Sequence, residues 1–539
     1  MDAPRPSPAP LRAGPRQWAG LAILTLPALL LSLDSTVLFL ALPHLSAALD
    51  VTSTESLWIM DIYGFLIAGS LITMGTLGDR IGRRRLLLIG GAAFGVASVL
   101  AAYSATPEML IATRALLGVA GATLMPSTMA LIMTMFPEAR QRGTAIGIWV
   151  SCFSLGIALG PVLGGLMLEY FWWGSVFLLA VPVMVLMLVL GPILLPEARG
   201  EEAGRLDLPS VALSLAAMIP AIYGIKDLAK HGVTLLGLAS VLVGVAIAAV
   251  FVRRQFRLTS PLLDLRLFAS RRFTAALVIV LVGLLALGGV YLFVTQYLQL
   301  VRELPPLAAG MWLLPAALSM VVSSMVAPAL AQRFRPGLVV GAGLFLSAAG
   351  CLLLTGVSVD GLPLLVVGFT LFYLGIGPMV TLGNELIVGS APPDRAGSAS
   401  AVGETAMEIG MALGIAVLGS LGTAVYQARV AGEEFTGASA AAARAARDSL
   451  ASGASAAGPL PEATALLAPA REAFTGALNV VGLTGGLIVG LLVAVAVVSL
   501  RQVPPTGSGQ EAAPDGGHRA APDGAEAAGG PAEAAATAV

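Results

Sequence analysis

The chain alternates between long apolar runs and short polar stretches. The runs are too long for the strands or one-sided helices of a water-soluble fold. A helix needs about 20 apolar residues to cross a bilayer. That test predicts fourteen spans, near 19–42, 57–77, 86–104, 109–135, 143–168, 175–195, 209–226, 234–252, 273–299, 308–330, 338–357, 363–388, 397–425 and 477–500. The first run follows Arg5, Arg12 and Arg16. It exceeds the roughly 7–15 apolar residues of a signal-peptide core, so an uncleaved span is expected. An even number of spans puts both termini on one side. Of the 30 lysines and arginines, 22 fall in segments on the side of the N-terminus, 7 in the opposite loops and one, Arg114, inside a span. Basic residues accumulate on the cytoplasmic side, so both termini are expected there.

Composition agrees with this pattern. The 539 residues are 57% hydrophobic and 11% charged, with a mean hydropathy of +0.89. Soluble domains carry about 25% charged residues, so lipid is the expected solvent and partner. A net charge of −1 argues against nucleic acid as a partner. The two cysteines, Cys152 and Cys351, lie in apolar runs, and the three histidines are scattered. Neither set suggests a metal site or a cofactor. Two segments fall outside the pattern of spans. Residues 426–475 read as a long Ala-rich outer loop that can be helical in part. Residues 501–539 are expected to be a disordered cytoplasmic tail.

The chain also resembles itself at an offset of about 254 residues. "LGIALGPVLGG" at 155–165 matches "IGMALGIAVLG" at 409–419, and "PEARQRGTA" at 137–145 matches "PPDRAGSA" at 392–399. "LGDRIGR" at 77–83 matches "LAQRFRP" at 330–336, and "LSLDSTVLFL" at 31–40 matches "LALGGVYLFV" at 285–294. Spans 1–6 therefore repeat as spans 9–14, with spans 7 and 8 inserted. The fold class expected is an all-α polytopic membrane protein of two six-helix bundles plus two inserted helices. Its parts are an N-terminal segment 1–18, a first bundle 19–195, a linker with the inserted helices 196–272, a second bundle 273–500 and the tail 501–539. Paired bundles of this kind rock around a site near the midplane.

Several motifs now carry a family resemblance. "GTLGDRIGRRR" at 75–85 resembles the loop signature of the major facilitator superfamily, and "ATRALLGVAGA" at 112–122 its helix-4 motif with a membrane arginine. "GIALGPVLGG" at 156–165 resembles the helix-5 motif of its antiporters, and "LDSTVLFLALPHL" at 33–45 the helix-1 motif of its 14-helix drug:proton antiporters. "LWIMDIYGFLIAG" at 57–69 and "ASAVGETAMEIG" at 399–410 are similar to multidrug exporters of the QacA and LfrA type.

The physics of these motifs is partly independent of the resemblance. Gly75 and Gly82 are expected to permit close approach and a tight turn, with Asp79 either pairing a neighbouring arginine or capping a helix N-terminus, and Arg83, Arg84 and Arg85 facing anionic lipid. The resemblance implies an inner gate at Gly75, Asp79, Arg80, Gly82 and Arg83. The mirrored loop carries Gln332 in place of the acid, so a single copy of that gate is expected. Gly156, Gly160 and Gly164, with Gly165 beside them, form a small-residue face on which helices touch closely, and Pro161 permits a bend. The resemblance implies a hinge there that limits leak.

A charge near the bilayer centre costs at least about 2.5–3.5 kcal/mol, so the acids inside spans are candidate functional groups. They are Asp34, Asp61, Glu385, Glu404 and Glu408, and Arg114 joins them as a base that needs a polar partner. Glu385 lies near a span end, where an interfacial role is the alternative. Trp58, Asp61 and Phe65 share one helix face, an arrangement that can hold a lipophilic cation by charge and cation–π attraction. Glu404 and Glu408 are four residues apart and face one way. Two such carboxylates in a low dielectric resist ionising together, so the pair is expected to exchange protons as a unit. Span 10 carries Ser319, Ser323 and Ser324 where some relatives carry an acid.

The expected function is proton-coupled efflux of lipophilic, mostly cationic compounds, such as quaternary ammonium compounds, dyes and fluoroquinolone-like drugs. Asp34, Asp61, Glu404, Glu408 and Arg114 would couple protons and bind cations, with Trp58 and Phe65 in the pocket. Protons are the coupling ion, no cofactor is expected, and the carrier is expected to act as a monomer in a bacterial cell membrane. Two alternatives stand beside this: a dedicated exporter of one natural product, and a non-transporting membrane sensor or assembly factor. An enzyme is not expected, because no span carries a serine–histidine or histidine–acid pair.

Overall fold

A computed structural model describes residues 13–197, 207–231, 234–258, 265–390, 396–433, 440–457, 462–501 and 503–505. Nearly all of them are helical. The first bundle comprises α1 (Pro15–Leu49), α2 (Ser53–Ile81), α3 (Arg83–Ala102), α4 (Pro107–Met135), α5 (Ala139–Tyr170) and a broken span, α6 (Ser175–Leu178) with α7 (Ala180–Leu194). The inserted pair is α8 (Leu208–His231) and α9 (Leu235–Gln255). The second bundle comprises α10 (Arg271–Gln296), α11 (Pro306–Arg333), α12 (Pro336–Leu354), α13 (Leu362–Gly389), α14 (Ala396–Val430) and α17 (Glu462–Ser499). Between the last two lies a helical hairpin, α15 (Ala440–Asp448) with α16 (Leu450–Ala457). The end of the molecule that carries Pro15 and Ser499 is the tail face, and the opposite end is the hairpin face.

The internal repeat is visible in which helices pack together. In the first bundle α1 packs on α5, α2 on α4, α3 on α4 and α7, and α7 on α1. In the second α10 packs on α14, α11 on α13, α12 on α13 and α17, and α17 on α10. The repeat reaches single residues. A Cβ at Gly156 would land on Ser32 and the Leu29 carbonyl of α1, and one at Gly160 on Thr36. Gly410 and Gly414, 254 residues further on, likewise sit on the carbonyls of Leu281 and Leu285 of α10. Without lipid-excluding force between helices, contact is driven by such close approach of small residues.

The structure refines three expectations. Twelve helices are long and apolar enough to cross a membrane among the described residues, and thirteen if α2, bent by 52° near residue 72, counts as one span. The fourteenth expected span corresponds to α8, a 24-residue helix whose uncharged stretch runs from Leu208 to Ile225. The stretch 426–475 is largely helical: α14 continues to Val430, the hairpin follows, and α17 begins at Glu462. Spans also extend beyond their apolar cores, so α1 runs to Leu49 and takes in His44. The tail predicted to be disordered lies, from residue 506 onward, outside the described residues, as do residues 1–12.

The two bundles are pressed together toward the hairpin face. A Cβ at Gly165 of α5 would meet Leu307 of α11 at 2.7 Å, and Gly310 of α11 abuts Pro161. A Cβ at Gly419 of α14 would meet Leu57 of α2 at 2.8 Å. Gln299 donates across the bundles to the Leu40 carbonyl at 2.9 Å. Asp448, at the end of α15, accepts from the Ser53 backbone N–H at 3.1 Å and so caps α2 of the other bundle. Toward the tail face, by contrast, a Cβ on Gly143 or Gly147 of α5 would meet nothing within 4 Å.

Candidate functional site

A cavity of ≈ 180 Å³ lies between the bundles, lined from both: by α1, α2, α4 and α5 on one side and α10, α11, α13 and α14 on the other. One water needs roughly 10–15 Å³, so the space admits an organic molecule or part of one. Its wall is apolar and soft. Met125, Met320, Met407 and Met411 line it with Tyr63, Phe153, Tyr291 and Tyr373. Thioethers and aromatic faces adapt to varied shapes and attract delocalised cations. The charged side chains in this wall are Glu404 and Glu408, both half-buried on α14.

Glu408 also borders a second void, of ≈ 30 Å³, whose far wall includes Arg114. Arg114 is 2% exposed, and its Nη1 donates to Asp34 Oδ2 at 2.9 Å. Its Nε donates to the Ile59 carbonyl at 3.3 Å, and its guanidinium lies 4.2 Å from the centre of the Tyr63 ring. The partner required by a buried arginine is therefore Asp34, on a helix three spans earlier in the chain. Tyr63 separates this ion pair from the main cavity, and Ser35, the neighbour of Asp34, lines both spaces. The carboxylates of α14 and the ion pair of α1 and α4 thus meet across one tyrosine and a space large enough for one or two waters.

The expected cation-binding face of α2 is not in this site. Helix geometry advances about 100° per residue, so Tyr63, Ile67 and Leu71 occupy one face and Trp58, Asp61 and Phe65 the opposite one. The first face lines the cavity. On the second, Phe65 packs with Ala412 and Ala416 of α14, flanked by Trp58 and by Met218 of α8. Asp61 is fully buried there, away from the cavity wall. The three residues do share a face, as the spacing predicts, but the inserted helix α8 covers it. Glu385 is exposed at the tail face. Ser319 and Ser323 of α11 bond to backbone carbonyls, including Thr370 of α13 at 3.1 Å, while Met320 between them faces the cavity.

The loop signature forms a compact electrostatic joint. Arg83 donates to Asp79 at 2.9 Å, one turn back. Glu197, at the end of the first bundle, accepts from the Arg84 backbone N–H at 3.1 Å and lies 3.6 Å from its guanidinium. An acid at a helix N-terminus is favoured by the orphan N–H groups there. Gly82 has φ of 109°, and a Cβ on it would strike Glu197. Gly75, expected to permit close approach, has nothing nearer than Pro126 at 4.0 Å. The tight turn belongs to Gly82 alone. Arg80 is exposed. On α5, Gly164 sits on Val37 of α1 and Gly165 on Leu307 of α11, so the helix is held between the bundles.

Sequence reasoning missed Tyr63, Phe153, Tyr291, Tyr373 and Glu197. A signal existed for the tyrosines: the chain has eight, and three stand within otherwise apolar spans and line the cavity. Tyr291 packs on Tyr373 with ring centres 6.1 Å apart and lies 4.4 Å from Phe39 across the bundles.

The chain is 43% identical over 428 residues to the multidrug efflux pump LfrA of Mycolicibacterium smegmatis, covering 79% of this chain and 84% of that protein. It is 35% identical over 426 residues to the methyl viologen resistance protein SmvA of Salmonella typhimurium, covering 77% and 84%. It is 34% identical over 410 residues to a tetracenomycin C resistance and export protein of Streptomyces glaucescens, covering 75% and 76%. Among solved structures it shares its fold with an inward-facing, occupied bacterial homologue of the lysosomal transporter Spinster, with a TM-score of 0.60 at 16% identity over 91% of this chain and 98% of the other. A peptide transporter of the POT type matches with a TM-score of 0.59 at 17% identity, over 89% and 95%. The family description Major Facilitator Superfamily matches residues 24–415. This multi-pass membrane protein belongs to the Major Facilitator Superfamily.

Proposed function

We propose that the protein exports lipophilic, mostly cationic drugs in exchange for protons. The observation that carries the reading is the placement of Glu404 and Glu408 in a methionine- and tyrosine-walled cavity between the bundles, one small void away from the Asp34–Arg114 pair. Removing a cation's water requires compensating charge, and the two carboxylates offer it in a low dielectric. Protonation of the same groups withdraws that charge. Cargo and proton therefore compete, and the competition supplies the difference in affinity between states that a carrier needs. With the tail face in the cytoplasm, as the arginine distribution indicates, the described conformation is closed outward. Cargo enters from the cytoplasm or inner leaflet of a bacterial plasma membrane, and one chain suffices for the cycle.

The relatives named as multidrug and methyl viologen resistance proteins support drug efflux of this kind. A second reading, export of a single natural product, is favoured by the tetracenomycin relative. A growth and dye-efflux panel in an efflux-deficient bacterium separates them. Resistance to several unrelated cations, abolished by a protonophore and by the paired change Glu404→Gln and Glu408→Gln, is the expected result. Resistance to one compound favours the second reading, and efflux that survives the protonophore overturns proton coupling.

A further inference from the structure

A second large cavity, of ≈ 920 Å³, lies outside the transport site, at the tail face of the second bundle. Its walls are the first turns of α10, the end of α13 and the last turns of α17. Each long wall changes character with depth. On α10, Arg271, Thr274 and Val278 succeed one another at positions i, i+3 and i+7, which share one helix face. Val278 is then about 10 Å deeper than Arg271. Along the end of α17 and just beyond it the same order runs the other way along the chain: Val495, then Ser499, then Arg501 at the rim. Val278, deep on α10, is 42% exposed and Val498, just inside Ser499, is 62% exposed, so the groove is open and apolar below its rim. Among the described residues, none lies within 4 Å of the missing Cβ of Gly389 at the α13 edge.

Cationic groups at the rim, hydroxyls below them and valines beneath form the depth profile of a phospholipid, from phosphate through glycerol to acyl chain. We propose that this groove binds one anionic phospholipid of the leaflet at the tail face, its phosphate held by Arg271, Arg272 and Arg501 and an acyl chain lying against Val278 and Val498. Among the described residues no acid lines the groove, and none of the three arginines takes part in an ion pair. Arginine's planar fork suits phosphate oxygens. Basic pockets between helices at a membrane surface bind anionic head groups. Charge at a span end can orient a helix with no cavity at all; here the three arginines converge from two helices on one groove with an apolar floor. The lipid would tie α10, α13 and α17 together at the end where the bundles are apart. The inference does not depend on what the protein transports.

The test is native mass spectrometry of the purified full chain in detergent, titrated with phosphatidylglycerol, with phosphatidylethanolamine and with inorganic phosphate. One phosphatidylglycerol is expected to bind at least about tenfold more tightly than phosphatidylethanolamine, and millimolar phosphate to leave it in place. The triple change Arg271→Gln, Arg272→Gln, Arg501→Gln is expected to weaken binding by about a hundredfold, from roughly 1 kcal/mol per basic residue. A control triple, Arg253→Gln, Arg257→Gln, Arg333→Gln, removes as much charge from the same face and is expected to change nothing. Should the first triple fail to fold, Val498→Trp decides, because it fills the acyl track and keeps all three charges; it is expected to abolish binding. Equal binding of the two lipids, equal effects of the two triples, displacement by phosphate, or unaltered binding by Val498→Trp would each overturn the proposal.

Discussion

Arg114 and Asp34 form a buried ion pair with Nη1 and Oδ2 2.9 Å apart, and the same guanidinium lies over the ring of Tyr63, which also lines the cavity between the bundles. Removing one partner of such a pair leaves an uncompensated buried charge, a loss of about 3–5 kcal/mol, whereas replacing both by apolar groups is close to neutral. Asp34→Asn is therefore expected to lower both the folded yield and dye efflux by at least about tenfold. The double change Asp34→Asn with Arg114→Met is expected to recover yield and not efflux. Yield by fluorescence-detected size exclusion, read beside vesicle efflux, separates the two; recovery of efflux would make the pair structural only.

The proposed competition between cargo and proton at Glu404 and Glu408 predicts a pH effect with a definite sign. Equilibrium binding of a lipophilic cationic dye to purified protein should weaken as pH falls, because protons occupy the carboxylates. With both replaced by Gln, binding should be weak and flat with pH. Dye titrations across the neutral and mildly acidic range measure it. A wild-type profile without slope would remove these residues from the coupling step.

The glycines of α5 are unequal. Gly160→Ala forces its methyl onto Thr36 and should destabilise the bundle by about 1–3 kcal/mol, the usual range for overpacking. Gly147→Ala, on the same helix, meets nothing within 4 Å and should be neutral or stabilising by up to about 1 kcal/mol. Thermal unfolding of the two variants in one detergent tests the contrast.

In the loop signature the same logic separates Gly82 from Gly75. Alanine at Gly82 meets both a positive φ and Glu197, and the conformation alone is unfavourable by about 1–2 kcal/mol. Alanine at Gly75 has room. Gly82→Ala is thus expected to lower the unfolding temperature and Gly75→Ala to leave it unchanged, in the same assay.

The inserted pair has its own acid-sensitive joint. Arg254 donates to Asp207 at 2.7 Å, and this hydrogen bond holds the Asp207 carboxyl below the usual carboxylate range. A depressed folded-state value stabilises above the ordinary value, near 3.8, and that contribution is lost as pH falls through the lower folded value. Unfolding temperature should therefore lose this contribution only below about pH 4, and Asp207→Asn should lack it. Loss of the contribution already at neutral pH would contradict the assignment.

Periodicity and composition alone determined the solvent, the number of bundles and the repeat, because a bilayer imposes one length and one polarity on every span. The glycine face of α5 was equally legible, since small residues four apart have one use between helices. What the tertiary structure decided was which faces meet. Trp58, Asp61 and Phe65 look from sequence like a cation site, yet α8 covers that face and Tyr63 on the other side lines the cavity. A helix that is apolar all round carries no mark of which side faces lipid, a neighbour or a cavity. The partner of Arg114 was likewise undetermined, because two helices distant in sequence had to bring Asp34 within 2.9 Å. The place of the helical hairpin was not legible either, because short alanine-rich segments hold a helix only when a surface such as α1 and α17 is there to receive them.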